Sequence, residues 1–197
     1  MAFVRKKRDS KTMTPLFVIE HLEQRMWHWC ILEYKNISCI VGKKNLLLTN
    51  TNSKALEDFA EIRSASVAKA HFLNPCILDP AASKTLNPND AVGFDAFIFG
   101  GILGDDPPRE RTKDELKLVQ GARRNLGKAQ MSTDTAVRVT WEILNGKPLS
   151  KLKFQNGITI EIAKGEEILL PYKYRVENGH VLLAQGLVEF LRKKKGF

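Results

Sequence analysis

The sequence holds no unbroken apolar run of about 18 residues, which excludes a membrane-spanning helix. Residues 1–13 lack an apolar h-region, so no secretory signal is expected there. Cysteine is scarce: Cys30, Cys39 and Cys76 are odd in number and contain no C-x-x-C. This fits neither a disulfide framework nor a zinc knuckle and points to a reducing compartment. The four histidines, His21, His28, His71 and His180, form no H-x-x-x-H pair, so no metal site is expected. There is no internal repeat and no G-x-S-x-G nucleophile elbow.

What is present is enough for a real core. Of 197 residues, 43% are hydrophobic, the size and composition of a single domain. Net charge is +9, and it is concentrated at the ends. Arg5, Lys6, Lys7, Arg8 and Lys11 against Asp9 give +4 over residues 1–13. Arg192, Lys193, Lys194 and Lys195 give another +4, leaving +1 for the body. The expected organisation is a basic flexible tail (1–13), one domain (14–190) and a basic C-terminal end (191–197). Such ends attract polyphosphate by counterion release without reading sequence. A solvated leader and a helix end complementing its dipole would look the same.

The run Leu16-Phe17-Val18-Ile19 predicts a buried strand ending at Glu20-His21. Helical spacing of Trp27, Cys30, Ile31, Tyr34 and Val41 predicts a helix stopped by Gly42. Further strands are expected at 46–49, at 76–78 and at 94–99, the last closed by Gly100-Gly101. Helices are expected at 53–70 (Ser53 as N-cap), 112–120 (capped by Thr112), 132–144 and 181–195. Residues 121–131 read as a loop, and 158–162 and 167–170 as short strands. Strands alternating with helices make an α/β domain with a mostly parallel sheet. Trp27, Trp29 and Trp141 lie in helical patterns, and core packing is the simplest role for each.

Familiar phosphate-binding patterns fail. Between Gly121 and Gly127 stand five residues where a Walker A loop has four, and Ala129 replaces its Ser/Thr. Phe99 occupies the first glycine position of a dinucleotide fingerprint. Two segments remain unusual. Phe99 to Thr112 packs Gly100, Gly101, Gly104, Pro107 and Pro108 into nine residues directly after a strand, where open α/β sheets bind ligands. Asn125 to Ala136 runs from a glycine loop into a helix start rich in hydroxyls, which either holds a ligand or merely caps the helix through Ser132 or Thr133.

Together these segments resemble the second and third motifs of the SPOUT superfamily of S-adenosyl-L-methionine (AdoMet)-dependent methyltransferases. They are Phe99-Gly-Gly-Ile-Leu-Gly-Asp105 and Leu126-Gly-Lys-Ala-Gln-Met-Ser-Thr-Asp-Thr-Ala136. Further strings are similar to the SPOUT protein-arginine methyltransferases that act on ribosomal protein S-three. These are Ile19-Glu20-His21-Leu22-Glu23, Trp29-x-Ile31-Leu32-Glu33-Tyr34, Leu78-Asp79-Pro80, Phe94-Asp95, Asp106-Pro-Pro-Arg109 and Leu170-Pro171-Tyr172-x-Tyr174. The resemblance covers about residues 16–193; the basic extension before it departs from the family. It implies an α/β SPOUT fold, a mostly parallel sheet flanked by helices with a deep C-terminal trefoil knot. It also implies a monomer. AdoMet would be walled by Leu78, Asp79, Gly100, Gly101, Ile102, Leu103, Leu126, Gly127, Met131, Thr133 and Thr135.

A guanidinium acceptor is protonated at neutral pH. It needs carboxylates to localise its charge and align one nitrogen with the methyl group, which Arg–carboxylate forks do. Glu20, Asp105 and Asp106 are the candidates; Glu23 is a poorer one, and Arg109 suits the loop or the cofactor carboxylate. The expected partners are a small-subunit ribosomal protein and, through the basic ends, RNA without sequence preference; no membrane partner is expected. The expected compartment is the cytoplasm, with nuclear entry open to the basic leader. Two other readings stay open: a SPOUT RNA methyltransferase, and a ribosome-binding factor without catalysis.

Overall fold

The computed structural model describes residues 3–4, 14–101 and 116–194. Six strands form the central sheet: β2 (Leu16–His21), β3 (Leu46–Thr49), β4 (Glu61–Ile62), β6 (Pro75–Leu78), β7 (Ala96–Gly101) and β8 (Ala122–Arg124). Their order is β4-β3-β2-β7-β6-β8, and every pairing is parallel. Two-residue strands β1 (Phe3–Val4) and β5 (Ala70–His71) pair separately. Among the described residues the α-helices are α1 (His28–Val41), α2 (Thr133–Leu144) and α3 (Leu187–Lys194).

The strands read as continuous apolar runs because both faces of the sheet are covered. Leu16 and Val18 join Leu47, Ile77, Ala96 and Ile98 on one face. Phe17 and Ile19 point the other way, into a larger core with Leu46, Leu48, Phe97 and Phe99 that α1 and α2 close. At its centre Phe17 lies 6.1 Å from Phe97, 6.2 Å from Phe99 and 5.9 Å from Trp141, ring to ring. Each of the three buried phenylalanines contributes about 1.5–3 kcal/mol. Gly42 ends α1 at φ +82°, donating to the Ser38 carbonyl at 2.8 Å; the positive φ there favours glycine.

A second unit is an antiparallel sheet of β9 (Lys153–Ala163), β10 (Glu166–Glu177) and β11 (His180–Val181), with β10 in the middle. It has its own core with α3 and is joined to α1 through Trp29. It is joined to α2 through the buried Arg175, whose Nε and Nη2 reach Glu142 Oε2 at 3.1 and 2.9 Å.

Several expected elements differ. Residues 53–70 are not a helix but short 3-10 turns around β4. Their hydrogen bonds go to the rest of the fold: the Phe59 carbonyl accepts from Ser38 Oγ, and the Val67 N–H donates to Glu20. Ser53 makes no side-chain cap. Within 121–131, expected as a loop, Ala122–Arg124 is an edge strand on β6. Its charges hid the apolar signal that marks a strand, and charge is how sheet edges are commonly protected. The hairpin strands are longer than 158–162 and 167–170, because their exposed face is polar. The last helix starts at Leu187, not 181: Val181 pairs with Val176, and Gly186 at φ +82° sets the helix start. Of the helix expected at 112–120, residues 112–115 lie outside the described residues and 116–118 form a turn.

Candidate active site

The site lies at the carboxyl ends of the adjacent strands β2, β7, β6 and β8, beside the start of α2. Residue alternation at the end of β2 sends its last two side chains to opposite faces. Glu20, 3% exposed, faces β3: its Oε2 accepts from Thr49 Oγ1 at 2.5 Å and from the Val67 N–H at 2.8 Å. It therefore ties the loop before β5 to the sheet. His21 faces α1, with Nδ1 2.9 Å from Tyr34 Oη. Its Nε2 is buried and has no hydrogen-bond partner among the described residues. Burial lowers the His21 pKa from 6.5 despite the Arg25 backbone, Glu23 and Glu20 nearby, which favours the neutral ring. Burial likewise pushes the Tyr34 phenol up.

Gly100 and Gly101 on β7 pair with Glu20 and His21. A Cβ on Gly101 would collide with Tyr34 Oη and come within 2.8 Å of Ile19 Cγ2, so Gly101 is glycine for packing as well as for any ligand. Leu78 and Asp79 end β6, both buried. Asp79 accepts from the Ala81 N–H at 2.9 Å and from Arg123 Nη1 at 3.1 Å, holding the turn after β6 against β8. Arg124 of β8 grips Asp90 through Nε and Nη2.

Nothing in the sequence singles out Asn125, yet it fastens the loop that follows. Its backbone N–H and side-chain Nδ2 donate to the carbonyls of Lys84 and Ala82, each at 2.8 Å, and its Oδ1 accepts from the Gly127 N–H at 2.9 Å. Leu126 is buried. Gly127 has φ +94°, and its Cβ side is open, with nothing nearer than Lys173 Nζ at 3.9 Å. Lys173 anchors the same loop, donating its N–H to the Gln130 carbonyl at 2.8 Å. Met131 is half-buried, and Thr133 and Thr135 are buried in the first turn of α2. Ser132 is the N-cap residue but makes no cap bond; its Oγ lies 2.7 Å from Asp134 Oδ1 and 2.8 Å from Thr135 Oγ1. Thr133 gives its N–H and hydroxyl to Glu33 of α1.

The structure thus brings together Leu78, Asp79, Gly100, Gly101, Leu126, Gly127, Met131, Thr133 and Thr135 along one rim, with Glu20 at the end of β2 beside Gly100. Ile102, Leu103, Asp105 and Asp106 lie outside the described residues, as does Arg109. Asn125 and Lys173 have no assignable role in the sequence because single polar residues carry no periodic signal, and His21 lies inside a family string with no role attached. Glu33, Tyr34 and Tyr174 stand inside the family strings with no role attached. Among the described residues no group of three metal-ligating side chains occurs, and no described helix is long and apolar enough to cross a membrane.

The rim suits a nucleoside-bearing cofactor. It offers apolar walls from Leu78, Leu126 and Met131, an open backbone at Gly127, and a buried Gln130 Oε1 with no partner among the described residues, an acceptor for a ligand N–H. A parallel sheet with such loops at its carboxyl edge is the ligand-binding arrangement of open α/β folds, and its relatives give the class, a SPOUT-type methyltransferase. The family model described as protein arginine N-methyltransferase SFM1-like matches residues 16–196, and the chain belongs to that family. It is 34% identical to protein arginine N-methyltransferase SFM1 of Saccharomyces cerevisiae, over 90% of this chain and 94% of the relative. Crystal structures of the yeast arginine methyltransferase SFM1 superpose on it: the complex with S-adenosylhomocysteine at TM-score 0.82 (32% identity, 89% of this chain, 94% of the other) and that with AdoMet at 0.84 (32%, 93%, 92%). Trm10 from Thermococcus kodakaraensis shares the fold at TM-score 0.55 and 17% identity, covering 70% of this chain and 96% of that one.

Proposed function

We propose that this protein transfers the methyl group of AdoMet to an arginine side chain of a small-subunit ribosomal protein, the S-three protein implied by the sequence resemblance. The methyltransferase class and the AdoMet cofactor follow from family membership. The observation that carries the reading is the rim itself: strand ends, an open Gly127 and the first turn of α2 gather in one place, in a chain whose yeast relative binds AdoMet and its product. Leu78, Leu126 and Met131 would wall the adenosine, and Gly100, Gly101, Ile102, Leu103, Gly127, Thr133 and Thr135 the rest. When bound, AdoMet supplies a methyl on a sulfonium, already activated for in-line displacement. What the chain must supply is position.

The acceptor nitrogen of a guanidinium has to be freed from the delocalised charge and aimed. Glu20, Asp105 and Asp106 are the carboxylates assigned to that task. For Glu20 the task falls to the lone pairs not taken by Thr49 and Val67. The trefoil knot, a monomeric state, a cytoplasmic location and RNA contact through the basic ends belong to the same reading. The decisive experiment is transfer of labelled methyl from AdoMet to purified small subunits, resolved into protein and RNA. Label in a protein band, recovered as methylarginine on hydrolysis, is the expected result. Label in RNA would make the enzyme an RNA methyltransferase on the same fold, and binding without transfer a ribosome-binding factor.

A further inference from the structure

The helices flanking the rim meet in a buried acidic junction that methyl transfer does not itself use. Glu33 of α1, 3% exposed, accepts from Trp29 Nε1 at 2.8 Å and from the N–H and hydroxyl of Thr133. Asp134 of α2, 5% exposed, accepts from Asn36 Nδ2 of α1 at 2.7 Å, from Ser132 Oγ at 2.7 Å and from the Thr135 N–H at 2.8 Å. One carboxyl reaches from α1 to grip α2, and the other lies within α2 and returns to α1. The amides of a helix's first turn have no partners inside the helix. Here those of Thr133 and Thr135 are taken by these two side chains, in place of the cap that Ser132 does not make. Tyr174 of β10 lies close enough to feel both carboxyls, and its buried hydroxyl finds no partner among the described residues.

We propose that Glu33 and Asp134 form one clasp on the first turn of α2, and that through this turn they position Thr133 and Thr135 for AdoMet. They are positioning residues, not catalytic ones, and the inference rests on the AdoMet reading of the rim given above. The charged and titratable groups facing the pair are Cys30 and Tyr34 from α1, Arg138 from α2, and Tyr174, with Tyr172 beside it, from β10. Arg138 is the one cation among them. Burial pushes both acids up, and Asp134 pushes Glu33 further. Two acids in a dry site titrate as a unit and part with their last proton late. A carboxyl whose pKa is raised by folding contributes fully below its unfolded value and loses that contribution as pH rises through the folded value. The clasp is therefore firmest at low pH. It loosens as pH rises and a second negative charge enters the junction.

The test is AdoMet binding to the full chain by calorimetry across pH 6–9, for the parent, Glu33→Gln, Glu33→Ala and Asp134→Asn. Comparing profiles cancels the titration of the ligand's own amine. The parent should lose affinity as pH rises relative to Glu33→Gln, whose profile should be flatter because its amide cannot ionise. Glu33→Ala, which leaves Thr133 unheld, should bind about tenfold more weakly, the scale of the hydrogen bonds to Thr133 that it loses. Asp134→Asn should flatten the profile as Glu33→Gln does. Superimposable profiles for parent and both amide variants, or a folded Glu33→Ala with parental affinity, would overturn the clasp while leaving the cofactor reading intact. A folded parent that binds no AdoMet at any pH would overturn the cofactor reading itself.

Discussion

At the scale of single residues, Gly101 and His21 tell different stories about the same rim. Gly101 would be read as a cofactor glycine, but its missing Cβ points at Tyr34 Oη and Ile19 Cγ2. Gly101→Ala should therefore destabilise the fold by about 1–3 kcal/mol, the cost of overpacking a close-fitted interior. Tyr34→Phe removes the colliding hydroxyl, so the double variant should lose less than the sum of the two single losses in urea unfolding. Strict additivity would place the strain elsewhere. His21 carries a pH signature. Its pKa is lowered by burial from 6.5, so the unfolded chain binds its proton more readily than the folded one. Stability attributable to His21 is present above about pH 6.5 and drains away as pH falls below it. His21→Asn should flatten the melting-temperature profile between pH 7 and 5; an unchanged slope would assign the acid loss to other groups.

At the scale of elements, legibility follows how much of each element's stability is local. The strands at Leu16, Leu46 and Cys76 announce themselves because a sheet buried on both faces demands unbroken apolar runs. Helices α1 and α2 are readable from spacing, with Gly42 and Asn145-Gly146 as stops. Elements fixed by distant partners are not readable. Residues 53–70 have helix-compatible composition, but Phe59 and Val67 make their hydrogen bonds to Ser38 and Glu20, 21 and 47 residues away in sequence. Ala122–Arg124 is a strand because Asp79 and Asp90 receive its arginines. The site is legible as strings, not as a junction: Glu33, Tyr34 and Tyr174 are visible letters whose meeting with Thr133 and Asp134 only the fold supplies. The same logic predicts how the hairpin stays attached. Arg175, with its side chain 7% exposed, meets Glu142 at 11%. Removing one partner of a buried pair leaves an uncompensated charge, so Arg175→Ala should cost about 3–5 kcal/mol. Replacing both by apolar residues, Arg175→Met with Glu142→Leu, should recover most of that. If the single and the double variant unfold at the same urea concentration, the pair does not couple the hairpin to α2.

At the scale of the whole molecule, charge and fold are separated along the chain. The body is close to neutral and builds the rim, and the two ends carry +4 each. A basic protein substrate meets little repulsion at such a body, while the charge at the ends attracts phosphates. Deleting residues 1–13 should therefore leave AdoMet affinity at the parental value, because the rim is assembled from residues 20 onward. It should weaken association with small ribosomal subunits, and it should change that association's response to salt. Each phosphate neutralised releases condensed counterions, contributing roughly 0.7–0.9 to the slope of log affinity against log salt. If the five basic residues of the leader each meet a phosphate, truncation should flatten the slope by roughly 3.5–4.5. A leader that is only solvated predicts no change in slope, and so does one whose sole part is the Phe3–Val4 pairing with Ala70–His71. Filter binding of the two proteins to small subunits over a salt series separates these cases. Parallel lines for full-length and truncated protein would assign the electrostatic contact to the C-terminal lysines or to the body.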